Sequence, residues 1–259
     1  MENLNVSILS LILSFTMVLV AMAISRKEKL DLNKEIMIAM VRMIIQLVVV
    51  GYVLTYIFGL NSKIVTVLVM LFMVVNAAWN ASKRAQAIPN AFRISLTSIM
   101  MGVVLSLIIL VVSGAIEFIP SQLIPINGML VGNAMSVIGL SFTNLNNEFK
   151  KSQQEVMEKL ALGASNKEAS QDIIRQSIKA SLQPTVDTAR TVGLVLLPGM
   201  MTGMMFAGVV PMQAIMYQIL IYFMMMSTST ITAYLAVYQA YPYFYNDNDQ
   251  LQFPKPQKN

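Results

Sequence analysis

The polar stretch NLNNEFKKSQQEVMEKLALGASNKEASQDIIRQSIKASLQPTVDTAR, residues 144–190, interrupts a chain that is otherwise strongly apolar. Of the 259 residues, 56% are hydrophobic and only 12% are charged. A soluble globular protein of this size needs a larger charged fraction to keep its exterior wetted. The composition therefore predicts an all-α protein embedded in a lipid bilayer, from which residues 144–190 project.

Seven apolar runs flank this stretch, five before it and two after it. A transmembrane helix needs about 20 apolar residues to cross roughly 30 Å of hydrocarbon. The predicted transmembrane helices are Leu4–Ile24, Ile36–Phe58, Ile64–Trp79, Ile94–Ser113, Leu123–Phe142, Thr191–Val210 and Ala214–Val237. We therefore expect a polytopic protein with one permease domain over residues 1–245 and a polar, disordered tail over 246–259.

The distribution of basic residues predicts the orientation in the membrane. All lysines and arginines except Arg42 and Lys63 fall after the first, third and fifth runs or in the C-terminal tail. Basic connections stay in the cytoplasm, so the N-terminus is expected outside and the C-terminus inside. This topology explains the net charge of +5 without a nucleic-acid partner.

Residues 144–190 carry the signals of a cytoplasmic helix-turn-helix. The segments Ser152–Glu155 and Ser165–Glu168 each match a capping box, which marks the start of a helix. Gly163 suits the left-handed conformation that ends a helix, and Pro184 is expected to end the second helix. Two interpretations stay open: a hairpin that lies on anionic lipid headgroups, or a docking surface for a partner protein.

The sixth apolar run contains a proline and a glycine in its middle. Pro198 removes one backbone donor and displaces the carbonyl group four residues earlier, so we expect a kink or a break in the helix. Gly199 and Gly203 begin a face of small residues suited to close helix packing. A broken helix is tolerated in a membrane where its free carbonyl groups face protein or a cavity.

Several classes of chemistry are excluded by composition. The chain has no cysteine and no histidine, so it lacks disulfides, thiolate metal sites, Cys-His pairs and Ser-His triads. No G-x-x-x-x-G-K-[ST] phosphate-binding loop occurs, so any ATP-driven role would need a separate subunit to bind ATP and Mg. No carboxylate lies deep in an apolar run, which argues against a gradient-driven carrier without excluding one. We expect neither enzyme activity nor a cofactor bound by this chain.

Three segments resemble the FetB-type iron-export permeases of the ABC transporter superfamily: EKLALGAS at 158–165, PTVD at 184–187 and LVLLPGMMTG at 194–203. The likeness covers nearly the whole chain. It implies a permease in the cell membrane that pairs with a FetA-type cytoplasmic ATPase, two copies of each, and expels iron or a related metal. Similar plant proteins are linked to aluminium tolerance. The family usually has glutamine directly after the TG of LPGMMTG, where this chain has Met204.

The resemblance also implies a role for the polar hairpin. In ABC permeases a short cytoplasmic helix sits in a cleft of the ATPase and transmits its closure to the membrane helices. The helix Ser152–Leu162, the bend at Gly163 and the cap at Ser165 look like this coupling element. The residues expected in the cleft are Leu160, Leu162 and Ala164, and those expected at its rim are Glu155, Glu158 and Lys159.

The substrate path is expected near the break in the sixth run. A thioether is a soft metal ligand, although methionine also serves as a flexible apolar filler. The candidates for the path are Met200, Met201, Met204, Met205 and Asn133. Three alternatives stay open: an ABC permease for a lipid or sugar nucleotide, a gradient-driven carrier or channel, and a membrane scaffold that holds a cytosolic protein.

Overall fold

The computed structural model describes residues 7–60, 62–85 and 88–253. These residues form α-helices joined by short connections, with two isolated β-bridges, so the all-α prediction is confirmed. The helices are α1 Ile8–Lys27, α2 Asn33–Leu60, α3 Lys63–Ser82, α4 Ala91–Val112, α5 Pro120–Lys151, α6 Gln153–Ala161, α7 Asn166–Ala169, α8 Gln171–Thr191, α9 Gly199–Phe206 and α10 Pro211–Ala240, followed by the 3₁₀ turn Tyr241–Phe244.

Six helices among the described residues are long and apolar enough to cross a membrane: α1, α2, α3, α4, α5 and α10. The predicted first span began at Leu4, but residues 1–6 lie outside the described part of the chain. The predicted span Thr191–Val210 is wrong as a continuous helix. There α8 ends, residues 192–198 form a turn, and the eight-residue α9 begins after Pro198.

The break has a clear backbone cause. Gly193 has φ +85°, and its N–H donates to the carbonyl oxygen of Leu196 over 2.9 Å, so the chain folds back on itself. This left-handed conformation favours glycine. Pro198 is the N-cap of α9 and has an extended backbone. The break predicted from Pro198 and Gly199 is confirmed, and it lies between α8 and α9.

The chain divides into two compact units, residues 1–61 and 62–259, and each is described by itself. The first contains α1 and α2, joined by a turn in which the N–H of Leu32 donates to Oγ of the buried Ser25. Most other side chains of these two helices are exposed and apolar, as expected for lipid-facing surfaces. The single domain expected over 1–245 stays a prediction.

In the second unit α10 packs against α4, α5, α8 and α9, while α3 packs against α4 and α5. Two pairs give the direction of α5 relative to α10. Asn133 of α5 donates to Ser229 of α10, and Phe149, later in α5, stacks on Phe244, just after α10. The later residue of α5 therefore contacts the later residue on the α10 side, so the two helices run parallel.

α4 runs in the opposite direction to α10. Ser106 hydrogen-bonds Thr228 over 2.6 Å, whereas Thr97, earlier in α4, donates to Gln239, later in α10, over 3.0 Å. α3 runs with α5, because Met73 lies beside Asn127 and the side chain of Arg84 lies against Gly139.

One end of this unit therefore gathers the C-terminal ends of α3, α5 and α10 with the N-terminal end of α4. We call it the basic end, because its charged residues include Lys83, Arg84, Arg93, Lys150 and Lys151.

The connection from α5 to α10 must travel back along the bundle. α8 starts at the basic end, where Ser170 hydrogen-bonds Tyr245 just beyond α10. Pro211 lies at the other end of α10, which has 30 residues and is about 45 Å long. α8 and α9, with 21 and 8 residues, supply about 44 Å together, and the intervening turn is folded. α8 therefore runs along α5 and α10 away from the basic end.

Two local predictions are corrected in this region. Pro184 does not end the second helix, because α8 continues to Thr191 with Pro184 on its exposed side. Of the tail predicted to be disordered, residues 246–253 instead form a turn in which Asn246 Oδ1 accepts from the N–H groups of Asn248 and Gln250. Residues 254–259 lie outside the described part of the chain.

Candidate functional site

The hairpin predicted for coupling is present as α6, a bend and α7. The N–H of Gly163 donates to Leu160 and that of Ala164 to Lys159, which closes the last turn of α6. Gly163 has φ +90°, and no atom lies within 4 Å of the position that a Cβ would occupy there. The residue is thus required by its backbone conformation and not by close packing.

Ser165 caps α7 as the sequence predicts. Its Oγ accepts from the N–H of Glu168 over 3.3 Å, and its own N–H donates to Oε2 of Glu168 over 2.8 Å. The Ser165 hydroxyl also donates to Oε2 of Glu168 over 2.6 Å, and this bond, together with the one from the Ser165 backbone N–H, lowers the pKa of Glu168. The capping box predicted at Ser152 is absent: Ser152 makes no side-chain cap bond, because its backbone, directly after α5, is not extended.

Ion pairs join α6 to the start of α8. Lys159 Nζ lies 2.7 Å from Glu155 Oε1 and donates to Asp172 Oδ2 over 3.1 Å. The hydrogen bonds to Glu155 and Asp172 raise the pKa of Lys159. These side chains line one open groove of about 260 Å³ between α5, α6 and α8. Lys159 is therefore already held within the hairpin, while Glu158 is exposed and accepts from Gln154 over 3.0 Å.

The apolar candidates differ in how much surface they offer. Leu162 is 89% exposed at the tip of the hairpin. Leu160 and Ala164 are half-buried, and Leu160 packs against the core. The core contact of α6 is Val156, which is fully enclosed. The hairpin thus keeps one apolar side chain, Leu162, almost entirely free of its own chain.

Residues 241–253, which we call the C-terminal turn, fasten the hairpin to α10, a feature that sequence reasoning missed. Phe244 stacks on Phe149 with centroids 4.1 Å apart, and both rings are fully buried. The hydroxyl of Tyr245 donates to the carbonyl oxygen of Asn166 over 3.3 Å, and the Asn166 amide bonds Asp249. The aromatic residues in the tail were the available signal, but their partners lie far away in sequence.

The five candidates for the substrate path lie on two different helices. The methionines Met200, Met201, Met204 and Met205 are on α9, where no residue is buried and where Gly199 and Gly203 have no close neighbour. Asn133 is on α5 and donates to the buried Ser229 of α10.

α9 packs against α10, so both groups adjoin that helix. Among the described residues no group of three or more His, Cys, Asp or Glu side chains is placed to hold a metal ion.

The polar residues of α10 mainly join helices. Thr228 and Thr232 are buried at the contact with α4, where a Cβ on Gly102 would lie 2.5 Å from Thr232 Oγ1. Gly102 therefore lets the two helices approach closely, and the hydroxyl groups act as interhelical bonds.

Long apolar helices and a structured polar hairpin define a multi-pass helical membrane protein. The model of the uncharacterised protein family UPF0014 matches residues 8–245. The chain belongs to this family.

Its relatives cover nearly the whole chain. The probable iron export permease protein FetB of Escherichia coli (strain K12) is 50% identical over 251 residues, which are 97% of each chain. The UPF0014 membrane protein STAR2 of Oryza sativa subsp. japonica is 37% identical, covering 95% of this chain and 86% of its own.

Protein ALUMINUM SENSITIVE 3 of Arabidopsis thaliana is 36% identical, covering 92% of this chain and 88% of its own. No solved structure matches the chain. The resemblance to FetB-type permeases is confirmed, and the chain is a membrane permease of this family.

Proposed function

We propose that this protein is the membrane subunit of an ATP-driven exporter that removes iron or a related metal ion from the cytoplasm. The observation that carries the proposal is the 50% identity, over 97% of both chains, to a protein named as a probable iron export permease. The substrate passes through the permease, and a separate FetA-type ATPase binds ATP and Mg. The assembly contains two copies of each subunit in the cell membrane.

The α6–α7 hairpin supports the coupling role. Leu162 is an exposed apolar side chain at its tip, and Glu155 and Glu158 lie on the exposed side of α6. An apolar anchor surrounded by polar contacts is the usual composition of a protein-protein contact. In this proposal Leu162 enters the cleft of the ATPase and the carboxylates of α6 contact its rim.

The proposal puts the basic end of the second unit in the cytoplasm and the N-terminus outside. The positive-inside rule supports this orientation, because Lys83, Arg84 and Arg93 lie at that end with Lys150 and Lys151. α8 and α9 form an interrupted crossing between α5 and α10. With it, the chain makes seven passages across the membrane.

The decisive experiment is ATP hydrolysis by the purified permease–ATPase complex in nanodiscs, with Fe(II), Mn(II), Zn(II) and Al(III) added separately. We expect iron or a related metal to stimulate hydrolysis several-fold. A complex that forms but responds only to lipids or sugar nucleotides would refute the metal assignment. Metal transport into vesicles by the permease without ATP would refute the ATP-driven assignment, and a permease that binds no ATPase would refute the coupling.

A further inference from the structure

Three polar side chains form a row on the exposed face of α8, which we call the α8 polar row: Gln183, Asp187 and Arg190. Gln183 Nε2 donates to Asp187 Oδ1 over 2.8 Å, and Arg190 Nη1 donates to the same oxygen over 3.5 Å. The side chains of Asp187 and Arg190 are 53% and 70% exposed. The opposite face of α8 carries the buried Ser177, Ser181 and Thr185.

The row lies deep along the bundle. At about 1.5 Å per residue, Asp187 is about 24 Å along α8 from its start at Gln171. On α5, Asn133 lies the same number of residues, about 24 Å, before Phe149, which is at the basic end. Because α8 runs along α5 away from that end, Asp187 lies at about the level of Asn133, within the apolar part of α5.

A charged row at this depth needs water or another polar surface beside it. Ionised side chains in hydrocarbon are costly, and those found at membrane depth face the protein interior or a water-filled cavity. Half or more of the Asp187 and Arg190 side-chain surface is free of protein contacts in the single chain. The row therefore marks a polar surface, lined by water or by protein groups, along the interrupted crossing.

The atoms of the row suit a hard cation. Asp187 offers a carboxylate, and Gln183 keeps its amide oxygen free for a second ligand while its NH₂ group bonds Asp187. Pro184 lacks the N–H that would otherwise occupy the carbonyl oxygen of Ala180 one turn earlier, on the same exposed side. Carboxylate, carbonyl and water oxygens are the ligands preferred by cations such as Mn²⁺ and Mg²⁺.

We propose that Asp187, with the amide oxygen of Gln183, binds a partly hydrated divalent metal cation on the transport path. The Arg190 guanidinium pairs with the Asp187 carboxylate when no cation is bound and separates from it when a cation binds. At this site oxygen ligands, and not the α9 methionines, make the first contact with the transported metal ion. The inference rests on the proposed metal transport, and it names the residues that would contact the substrate.

The first test asks whether the row faces water, and it needs no transport activity. The chain contains no cysteine, so a single introduced thiol is the only one that can react. We expect Gln183→Cys in nanodiscs to react rapidly with a water-soluble maleimide. The matched control, Leu105→Cys, lies in the middle of α4 on an exposed apolar side and should react at least about tenfold more slowly, because hydrocarbon excludes the reagent. Equal, slow labelling of both variants would overturn the proposal.

The second test measures cation binding by the permease alone. Mn²⁺ is the probe, and its electron paramagnetic resonance signal distinguishes free from bound ions. We expect Asp187→Asn to weaken Mn²⁺ binding by roughly tenfold or more, with Asp187→Glu retaining most of the affinity. The charge-matched control Glu117→Gln, in the loop between α4 and α5, should bind as the wild type does.

Equal Mn²⁺ binding by wild type and Asp187→Asn, or no binding by either, would overturn the site. Failure of the proposed function is a separate result. It would appear as absent metal stimulation of ATP hydrolysis by the wild-type complex, while the labelling and Mn²⁺ measurements on the permease still decide the role of Asp187.

Discussion

The bend at Gly163 is the most direct test of the coupling hairpin. Its φ of +90° lies where side chains with a Cβ are strained, and no neighbouring atom lies within 4 Å of the position of an added Cβ. Substitution therefore costs backbone free energy alone, without a steric clash. For an ordinary residue in the left-handed region this cost is about 1–2 kcal/mol.

A cost of this size changes the population of the native bend by a factor of about 5–30. The population of the native bend should fall most in the valine variant, because branching at Cβ adds further restriction. It should fall least in the asparagine variant, because asparagine tolerates this region best. We therefore expect the affinity for the ATPase to fall in the order Gly163, Gly163→Asn, Gly163→Ala, Gly163→Val. Membrane insertion should persist in all of them.

The assay is quantitative pull-down of the ATPase by permease variants matched for their amount in the membrane. A second variant, Leu162→Ala, removes the exposed side chain without altering the bend and should also weaken association. Equal association for wild type and Gly163→Val would refute the assignment of the hairpin as the coupling element. A loss of the same size for Asn, Ala and Val would refute the backbone argument.

Three further predictions follow from the packing and the ionisation of the second unit. Gly102→Val should destabilise the α4–α10 contact by about 1–3 kcal/mol, because an added Cβ would lie 2.5 Å from Thr232 Oγ1, and a lower Tm in nanodiscs would show it. Phe244→Ala should cost about 3–5 kcal/mol locally, and faster hydrogen exchange in the C-terminal turn, with unchanged exchange in α4, would reveal it. Since the pKa of Glu168 is lowered, its cap on Ser165 persists at neutral pH and is lost as pH falls through the folded-state pKa. Amide protection factors at the start of α7, corrected for the intrinsic pH dependence of exchange, should fall in acid, and Glu168→Gln should remove this dependence.

Sequence alone predicts the elements for which hydrophobic periodicity and apolar composition indicate the same structure. The long apolar runs correspond to α1–α5 and α10, because lipid and helix neighbours both favour apolar side chains there. Gly163 and Ser165 are also read correctly, since a left-handed bend and a cap depend on residues adjacent in the chain. The capping box at Ser152 fails because the preceding helix runs directly into it.

The proposed interrupted crossing, α8 and α9, shows why a hydropathy argument does not predict the rest of the fold. The part of α8 deep in the bundle buries serine and threonine, while its exposed face carries the α8 polar row. Only the half-buried Ile178, Leu182 and Val186 between these two faces are apolar, so the segment is assigned to the polar hairpin. Only the apolar residues after Thr191 are recognised, and they are too few for a crossing once the turn at Gly193 is subtracted.

The connection between hairpin and crossing gives the proposed exporter a short mechanical path. α7 is fastened by Asn166 to the C-terminal turn, which stacks through Phe244 on the end of α5. α8 begins directly after α7 and carries Asp187 into the bundle, with no flexible linker between them. A rigid α8 would transmit movement of the hairpin by an ATPase to the α8 polar row, together with the ends of α5 and α10 to which the hairpin is fastened. The turn at Gly193 separates α8 from α9, so in this proposal the two parts of the crossing do not form one rigid helix.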